Sequence, residues 1–103
     1  MIRQSHYVTM TDQELAREVM RGNQNACTFL VLKYQKLVFH IVRRSMNPSQ
    51  PVEDICQDVF LKVLRNISGW RGDSKLSTWI ATIAYNTAMS HVKREQIKKA
   101  VLK

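Results

Sequence analysis

The sequence has few of the residues that mark linkers, disordered chains or membrane spans. Three glycines and two prolines among 103 residues argue against a long linker. No apolar run approaches the roughly 20 residues that cross a bilayer, and the longest strong patch is Phe-Leu-Val-Leu at 29–32. The amino terminus is not followed by the apolar core of a signal peptide. These absences predict one globular domain with no membrane insertion, and we expect it in the cytoplasm.

Cysteine and histidine are also too few and too scattered to predict a metal or catalytic site. Cys27 and Cys56 do not have a Cys-x-x-Cys or Cys/His spacing, and each falls within a helical pattern. We expect free, buried or half-buried thiols, with a disulfide or a redox switch as the alternative. His6, His40 and His91 form no nucleophile and base set that spacing supports. The sequence therefore predicts no metal, no cofactor and no enzyme.

Charge is abundant and uneven. The net charge is +8, and residues 60–103 hold nine Lys or Arg against two acids, so +7 of the total lies there. Such a balance favours a polyanionic partner, most often nucleic acid. Glu53, Asp54 and Asp58 form a small acidic island just before this basic half. The contrast suggests two partners, of which one is not nucleic acid.

Capping signals and periodicity predict two helices in the first half. Residues 11–14, Thr-Asp-Gln-Glu, form a capping box that begins a helix running to about Arg21. Asn23 or Asn25 can cap a second helix, whose apolar residues recur at helical spacing to Val42. Residues 47–51, which hold both prolines, end it. The apolar side of the first helix is expected to be Leu15, Val19 and Met20.

The second half predicts two more helices joined by a loop. The third runs from about Val52 to Ile67, and Asp73 or Ser74 is expected to cap the fourth, which continues through Val92 into a basic tail. No stretch alternates at period two, so we predict an all-α fold, a compact bundle of three to four helices. We expect a flexible N-terminal arm (1–10), a helical domain (11–96) and a basic tail or the start of a linker (97–103). The inner face of the fourth helix is Leu76, Trp79, Ile80, Ile83, Ala84 and Thr87.

The third helix carries a polar stripe. Asp54, Gln57, Asp58 and Leu61 recur at i, i+3, i+4 and i+7, so they share one side of the helix. The stripe is either a solvated acidic face or a docking face for a basic partner helix. Two carboxylates offer too few oxygen ligands for calcium or magnesium, so a metal site is not expected.

The loop before the fourth helix and the outer face of that helix are the second candidate surface. Trp70 stacks on a base or folds back on the core as a loop anchor, whereas Trp79 is expected in the core. The outer face is small, polar and edged with cations, which suits duplex or single-stranded nucleic acid. Its residues are Ser77, Thr78, Ala81, Thr82, Tyr85, Asn86, Met89 and Lys93.

Four segments, in their order and spacing, resemble region two of bacterial sigma factors of the extracytoplasmic-function (ECF) type. They are 11–15 (TDQEL), 54–63 (DICQDVFLKV), 70–80 (WRGDSKLSTWI) and 83–86 (IAYN). The resemblance implies a domain that binds core RNA polymerase and recognises and helps melt the promoter −10 element. The alternative is a stand-alone helical DNA- or RNA-binding transcription regulator. Full members carry a second domain that reads the −35 element, so the sequence leaves open whether the chain is an excised domain.

The resemblance also implies partners and residue roles. The clamp coiled coil of the largest polymerase subunit would be bound by Asp54, Gln57, Asp58, Phe60 and Leu61. The non-template strand of the −10 element would be bound by Trp70, Arg71, Gly72, Asp73, Ser74, Lys75, Thr78, Thr82, Asn86 and Lys93. Family members are often held by an anti-sigma factor, and the sequence leaves open whether this chain has one.

Overall fold

The computed structural model describes residues 7–46 and 50–102 of the chain. In these ranges it forms four α-helices of eight or more residues and no strand, which confirms the predicted all-α bundle. The predicted break at 47–51 falls partly on residues 47–49, and the predicted arm falls mostly on residues 1–6; both segments lie outside the described residues. The elements are α1 (Asp12–Met20), α2 (Gln24–Ser45), α3 (Val52–Asn66), a 3₁₀ turn (Ile67–Gly69) and α4 (Leu76–Leu102).

Local capping sets the first two helix starts. The Glu14 N–H donates to Thr11 Oγ1 at 3.1 Å, and the Thr11 N–H donates to Glu14 Oε1 at 3.0 Å, which confirms the capping box. Asn23, and not Asn25, caps α2 by accepting from the Ala26 N–H at 3.2 Å. Between the two helices Gly22 has a φ of +81°, the left-handed conformation that commonly ends a helix.

The core lies where α4 packs across α2 and α3, with α1 covering one end of α2 and the 3₁₀ turn. Two predictions about its edge are wrong. Met20 is 52% exposed and Ala16 is buried in its place, because Ala16 lies on the same side of α1 as Leu15 and Val19. Tyr7 is also buried, and its ring stacks on Phe29 with centroids 5.2 Å apart, so the expected loose arm does not include it. The largest fully buried side chains are Leu15, Leu30, Val38, Val42, Ile55, Val59, Val63, Leu76 and Ile80.

The start of α4 also differs from the expectation of a cap at Asp73 or Ser74. The Lys75 carbonyl accepts the first helical hydrogen bonds, from the Thr78 and Trp79 N–H groups at 3.0 and 3.1 Å. Lys75, which has no acceptor side chain, therefore occupies the N-cap position. The 27 residues of α4 make a helix about 40 Å long. On its inner face Trp79 and Ile83 are half-buried against the core.

Candidate functional sites

The 70–75 loop between the 3₁₀ turn and α4 is closed by its own hydrogen bonds. The Trp70 indole Nε1–H donates to the Ser74 carbonyl at 3.0 Å, and the Trp70 N–H donates to the Ile67 carbonyl at 3.1 Å. The ring is half-buried against the core, so of the two interpretations of Trp70 the structure favours the loop anchor. Gly72 has a φ of +82°, which glycine adopts without steric cost. The remaining predicted loop residues are exposed: Arg71, Asp73, Ser74 and Lys75.

The outer face of α4 continues from this loop. Thr78, Thr82, Asn86 and Lys93 are all exposed, and their spacing puts them on one side of the helix. Thr82 Oγ1 donates to the Thr78 carbonyl at 3.0 Å, so the hydroxyl oxygen can still accept a hydrogen bond. Tyr85, beside them, is 53% exposed. We call the side of the helix that carries Thr78, Thr82, Asn86 and Lys93 the α4 outer face. It begins directly after the exposed part of the loop.

The α4 outer face has charged side chains only at its two ends. Residues 76–92 contain no Asp, Glu, Lys or Arg, so the cations lie at its two ends, at Lys75 and Lys93. Eighteen positions of helix separate them, about 27 Å along the axis. Asn86 also lines a shallow depression toward α3, with Lys62 among its neighbours. The surface offers neutral hydrogen-bonding groups between two terminal charges.

The polar stripe predicted on α3 is divided between two sides of that helix. Gln57, Phe60 and Leu61 line an open groove of about 960 Å³ between α2 and α3. Phe39 of α2 is 41% exposed there and Leu61 is 52% exposed. In this α2–α3 groove, Phe39, Phe60 and Leu61 supply apolar surface. Lys36 and Arg43 add cationic groups on the α2 side, and Glu53 adds an acid on the α3 side.

Asp58 instead turns toward α4. Its Oδ2 lies 3.2 Å from His91 Nε2 and 3.6 Å from Lys62 Nζ, and Lys62 Nζ lies 3.4 Å from Thr87 Oγ1. Burial raises the pKa of the Asp58 carboxyl, but the His91 hydrogen bond and the Lys62 charge outweigh it and leave the pKa below its ordinary value. Asp54 is exposed and borders a second groove that His91 also lines.

Two of these contacts were missed by sequence reasoning. The Asp58 and Lys62 pair, four residues apart on one helix, has a spacing that predicts an ion pair. The contact between Asp58 and His91 joins residues 33 positions apart, and no local spacing signals it.

The remaining reactive groups form no further site in the described part of the chain. Cys27 and Cys56 are half-buried and unpaired, as expected, and burial raises the pKa of both thiols. No cluster of three or more His, Cys, Asp or Glu among residues 7–46 and 50–102 is arranged to hold a metal ion. In the same ranges, no helix combines the length and the apolar character that crossing a membrane requires.

Comparisons with known proteins match most of the chain to one family. A family model described as Sigma-70 region 2 matches residues 30–97. The chain is 40% identical over 81 residues to the RNA polymerase sigma-H factor of Pseudomonas aeruginosa, and 41% identical over 83 residues to the ECF RNA polymerase sigma-E factor of Escherichia coli K12. These matches cover 79% and 81% of this chain but 42% and 43% of the relatives, so the chain spans about two-fifths of their length.

A solved structure is similar over most of both chains. It is an NMR structure of an engineered region 2 of sigmaE in complex with GTAAAA, 36% identical in sequence, with a TM-score of 0.77. The match covers 86% of this chain and 93% of that one. The likeness therefore extends beyond the shared motifs to most of the fold.

Proposed function

We propose that this chain, which belongs to the sigma-70 region 2 family, recognises the promoter −10 element as a single strand and helps to hold it open in transcription initiation. One observation carries the proposal: the exposed loop residues 71–75 lead directly into α4, where Thr78, Thr82 and Asn86 are also exposed and share one side of the helix. The similar sigmaE region, in complex with GTAAAA, supports it.

The energetics suit a trap for an opened strand. Opening a duplex costs about 1.4 kcal/mol for each base-pair step. A protein that hydrolyses no nucleotide acts by binding, so it must offset that cost with base contacts and phosphate contacts. Thr78, Thr82 and Asn86 supply neutral donors and acceptors to bases, while Lys75 and Lys93 contact phosphates.

The loop contributes shape to this surface. Trp70 holds the loop closed through Ser74, so that the exposed residues 71–74 meet a base turned out of the stack. Trp70 acts mainly as the anchor of the loop, because its ring packs against the core. The sigma domain comprises residues 11–96 in this proposal.

The α2–α3 groove is the proposed docking surface for the clamp coiled coil of the largest subunit of core RNA polymerase. Exposed apolar side chains gathered in one groove are typical of protein interfaces. On the α3 side of this groove they are Phe60 and Leu61, with the polar Gln57 beside them. Asp54 and Asp58 lie on the flank of that surface. An anti-sigma factor is a further proposed partner, and all these interactions would take place in the bacterial cytoplasm.

Fluorescence anisotropy tests the proposal at one fixed salt concentration, because phosphate binding varies steeply with salt. The probes are single-stranded GTAAAA, its complement, and a longer duplex that holds the same base pairs between G·C-rich flanks, because the short duplex alone would not stay paired. We expect the tightest binding to the single strand GTAAAA. Equal affinity for all three would reduce the surface to a nonspecific basic patch and overturn the proposal.

A second measurement separates this proposal from a stand-alone nucleic-acid-binding regulator. The α2–α3 groove has no use in such a regulator, so co-purification with core RNA polymerase decides between the two. Retention of the chain on core polymerase supports the sigma role. Strand-selective binding without retention favours the stand-alone regulator.

A further inference from the structure

Helix α1 contacts the start of α4, directly after the 70–75 loop that is proposed to bind a base. The Leu76 backbone N–H donates to Asp12 Oδ2 at 3.2 Å, across 64 positions of sequence. α1 also packs on the 3₁₀ turn that precedes the loop. Yet α1 lies wholly outside residues 30–97, which the family model matches. The range of the family model therefore does not contain this connection between α1 and the loop, although residues 11–15 are among the segments that resemble the family.

The Asp12 contact does what a local N-cap does elsewhere. The first N–H groups of a helix have no partner within the helix, and a carboxylate is favourable there because of the helix dipole. Lys75 occupies the N-cap position of α4 and its side chain cannot accept a hydrogen bond. Asp12 supplies the missing acceptor from another helix. It also lies in the first turn of α1, so one carboxylate links the N-terminal ends of two helices.

A second α1 residue stands against the middle of the loop. A Cβ built on Gly72 would lie 3.3 Å from Gln13 Nε2, so the Gln13 amide covers the one loop position with a positive φ. Inside the loop, the bond from the Trp70 indole to Ser74 closes the chain on itself. The loop is thus held from within by Trp70 and from outside by α1.

We propose that Asp12 is a positioning residue for base recognition, and that Gln13 provides a second contact from α1 to the loop. By capping α4 from α1, Asp12 holds the 70–75 loop and the first turn of α4, including Thr78, in the arrangement that meets the bases. Asp12 acts through the loop and contacts no nucleotide. The inference rests on the proposed function of that loop.

The experiment measures selectivity and stability together in variants of this chain. The probes are single-stranded GTAAAA and each of its single-base variants, and the readout is the Kd ratio between the weakest and the tightest probe of the wild type. Asp12→Ala should lower this ratio about five-fold, the equivalent of about 1 kcal/mol for one lost hydrogen bond. Asp12→Asn should keep most of the ratio, because its amide oxygen still accepts from Leu76.

Thr11→Ala is the matched control. Thr11 Oγ1 caps α1 through the Glu14 N–H, so its loss weakens the same helix while leaving the Leu76 contact in place. Thr11→Ala should lower the Tm and leave the ratio unchanged. If it lowers the ratio as much as Asp12→Ala does, general destabilisation of α1 is the cause and the inference is wrong.

The other outcomes are also decisive. A folded Asp12→Ala with the wild-type ratio would show that Asp12 only stabilises the fold, which overturns the inference while the proposed function stands. If Asp12→Ala does not fold, Gln13→Ala is measured instead, because Gln13 is exposed and its loss should be tolerated. We expect the Kd ratio to fall in this variant, and an unchanged ratio would overturn the inference. A wild type with no selectivity among the probes would instead contradict the proposed function itself.

Discussion

The α2–α3 groove and the α4 outer face differ in what they offer a partner. The groove exposes carbon surface at Phe39 and Leu61, whereas the α4 face exposes hydroxyl and amide groups between two lysines. Apolar burial stabilises a contact in proportion to area and with little regard to direction. Hydrogen bonds require a donor and an acceptor in line, so they discriminate between bases. The groove is therefore suited to bind a protein partner whose surface does not vary. The α4 outer face is suited to distinguish one base sequence from another.

The two regions also differ in how they are held. The groove lies between two long helices whose inner residues, such as Val38 and Val59, are fully buried, so its shape follows from the core. The 70–75 loop depends on single hydrogen bonds, from Trp70 to Ser74 and from Leu76 to Asp12. Exposed substitutions in the groove should therefore change binding alone. Substitutions around the loop should change binding through geometry.

The largest expected effect is on the groove. Leu61→Asp should weaken binding to core RNA polymerase by at least about 30-fold, the equivalent of about 2 kcal/mol for a central interface residue. Binding to single-stranded GTAAAA should be unchanged, since Leu61 lines the α2–α3 groove and is no part of the 70–75 loop or the α4 outer face. Titration of fluorescent chain with core polymerase measures the first effect, and anisotropy measures the second.

Leu32→Asp is the matched control for that change. Leu32 is 42% exposed on α2 and does not line the groove. It should leave polymerase binding close to that of the wild type. An equal loss in both variants would mean that any added surface acid weakens binding, and the groove would have no special role.

An intermediate effect is expected on the α4 outer face, where base contacts and phosphate contacts can be separated. Lys93→Ala should weaken binding to all strands alike and flatten the salt dependence by about 0.7 log units per decade, the single-strand value for one phosphate contact. Asn86→Ala should leave the salt slope nearly unchanged and reduce selectivity about five-fold, because one neutral hydrogen bond is worth about 1 kcal/mol. Anisotropy over a salt series, with GTAAAA and its weakest single-base variant, gives both quantities. The reverse pattern would show that Lys93 and not Asn86 reads sequence.

The smallest effect is expected at Asp58, which lies between the two regions. Asp58→Asn should lower stability at neutral pH by less than about 1 kcal/mol, because partly exposed ion pairs contribute little. The folded-state pKa of Asp58 is lowered, so the charged carboxylate stabilises the fold above its unfolded pKa of about 3.9. That contribution is lost as the pH falls through the lower folded-state pKa. The Tm difference between wild type and Asp58→Asn should therefore shrink in acid.

Thermal melts between about pH 7 and about pH 3 test this pH dependence. His91→Ala is the matched variant, since it removes the same contact from the side of α4. A Tm difference for Asp58→Asn that stays constant over the whole range would rule out a stabilising charge at Asp58. Polymerase binding should fall less in Asp58→Asn than in Leu61→Asp, because the Asp58 carboxylate already contacts His91 and Lys62 within the molecule.

The sequence by itself determined the four helices, the capping box at Thr11 and the exposed face of Thr78, Thr82 and Asn86. These features depend on residues a few positions apart, where the 3.6-residue period and short-range capping operate. The segments at 54–63 and 70–80 also predicted the family, because their order and spacing are sequence properties.

Only the tertiary structure decided how the predicted sites are assembled. The α3 stripe has one helical period but borders two different helices, so Gln57 lines the α2–α3 groove while Asp58 turns to His91. The cap of α4 comes from Asp12, 64 positions away, where local rules favoured Asp73 or Ser74. Periodicity determines which side of a helix a residue occupies. Which helix packs against that side depends on long-range packing, because contacts between distant segments form only when the whole core is buried.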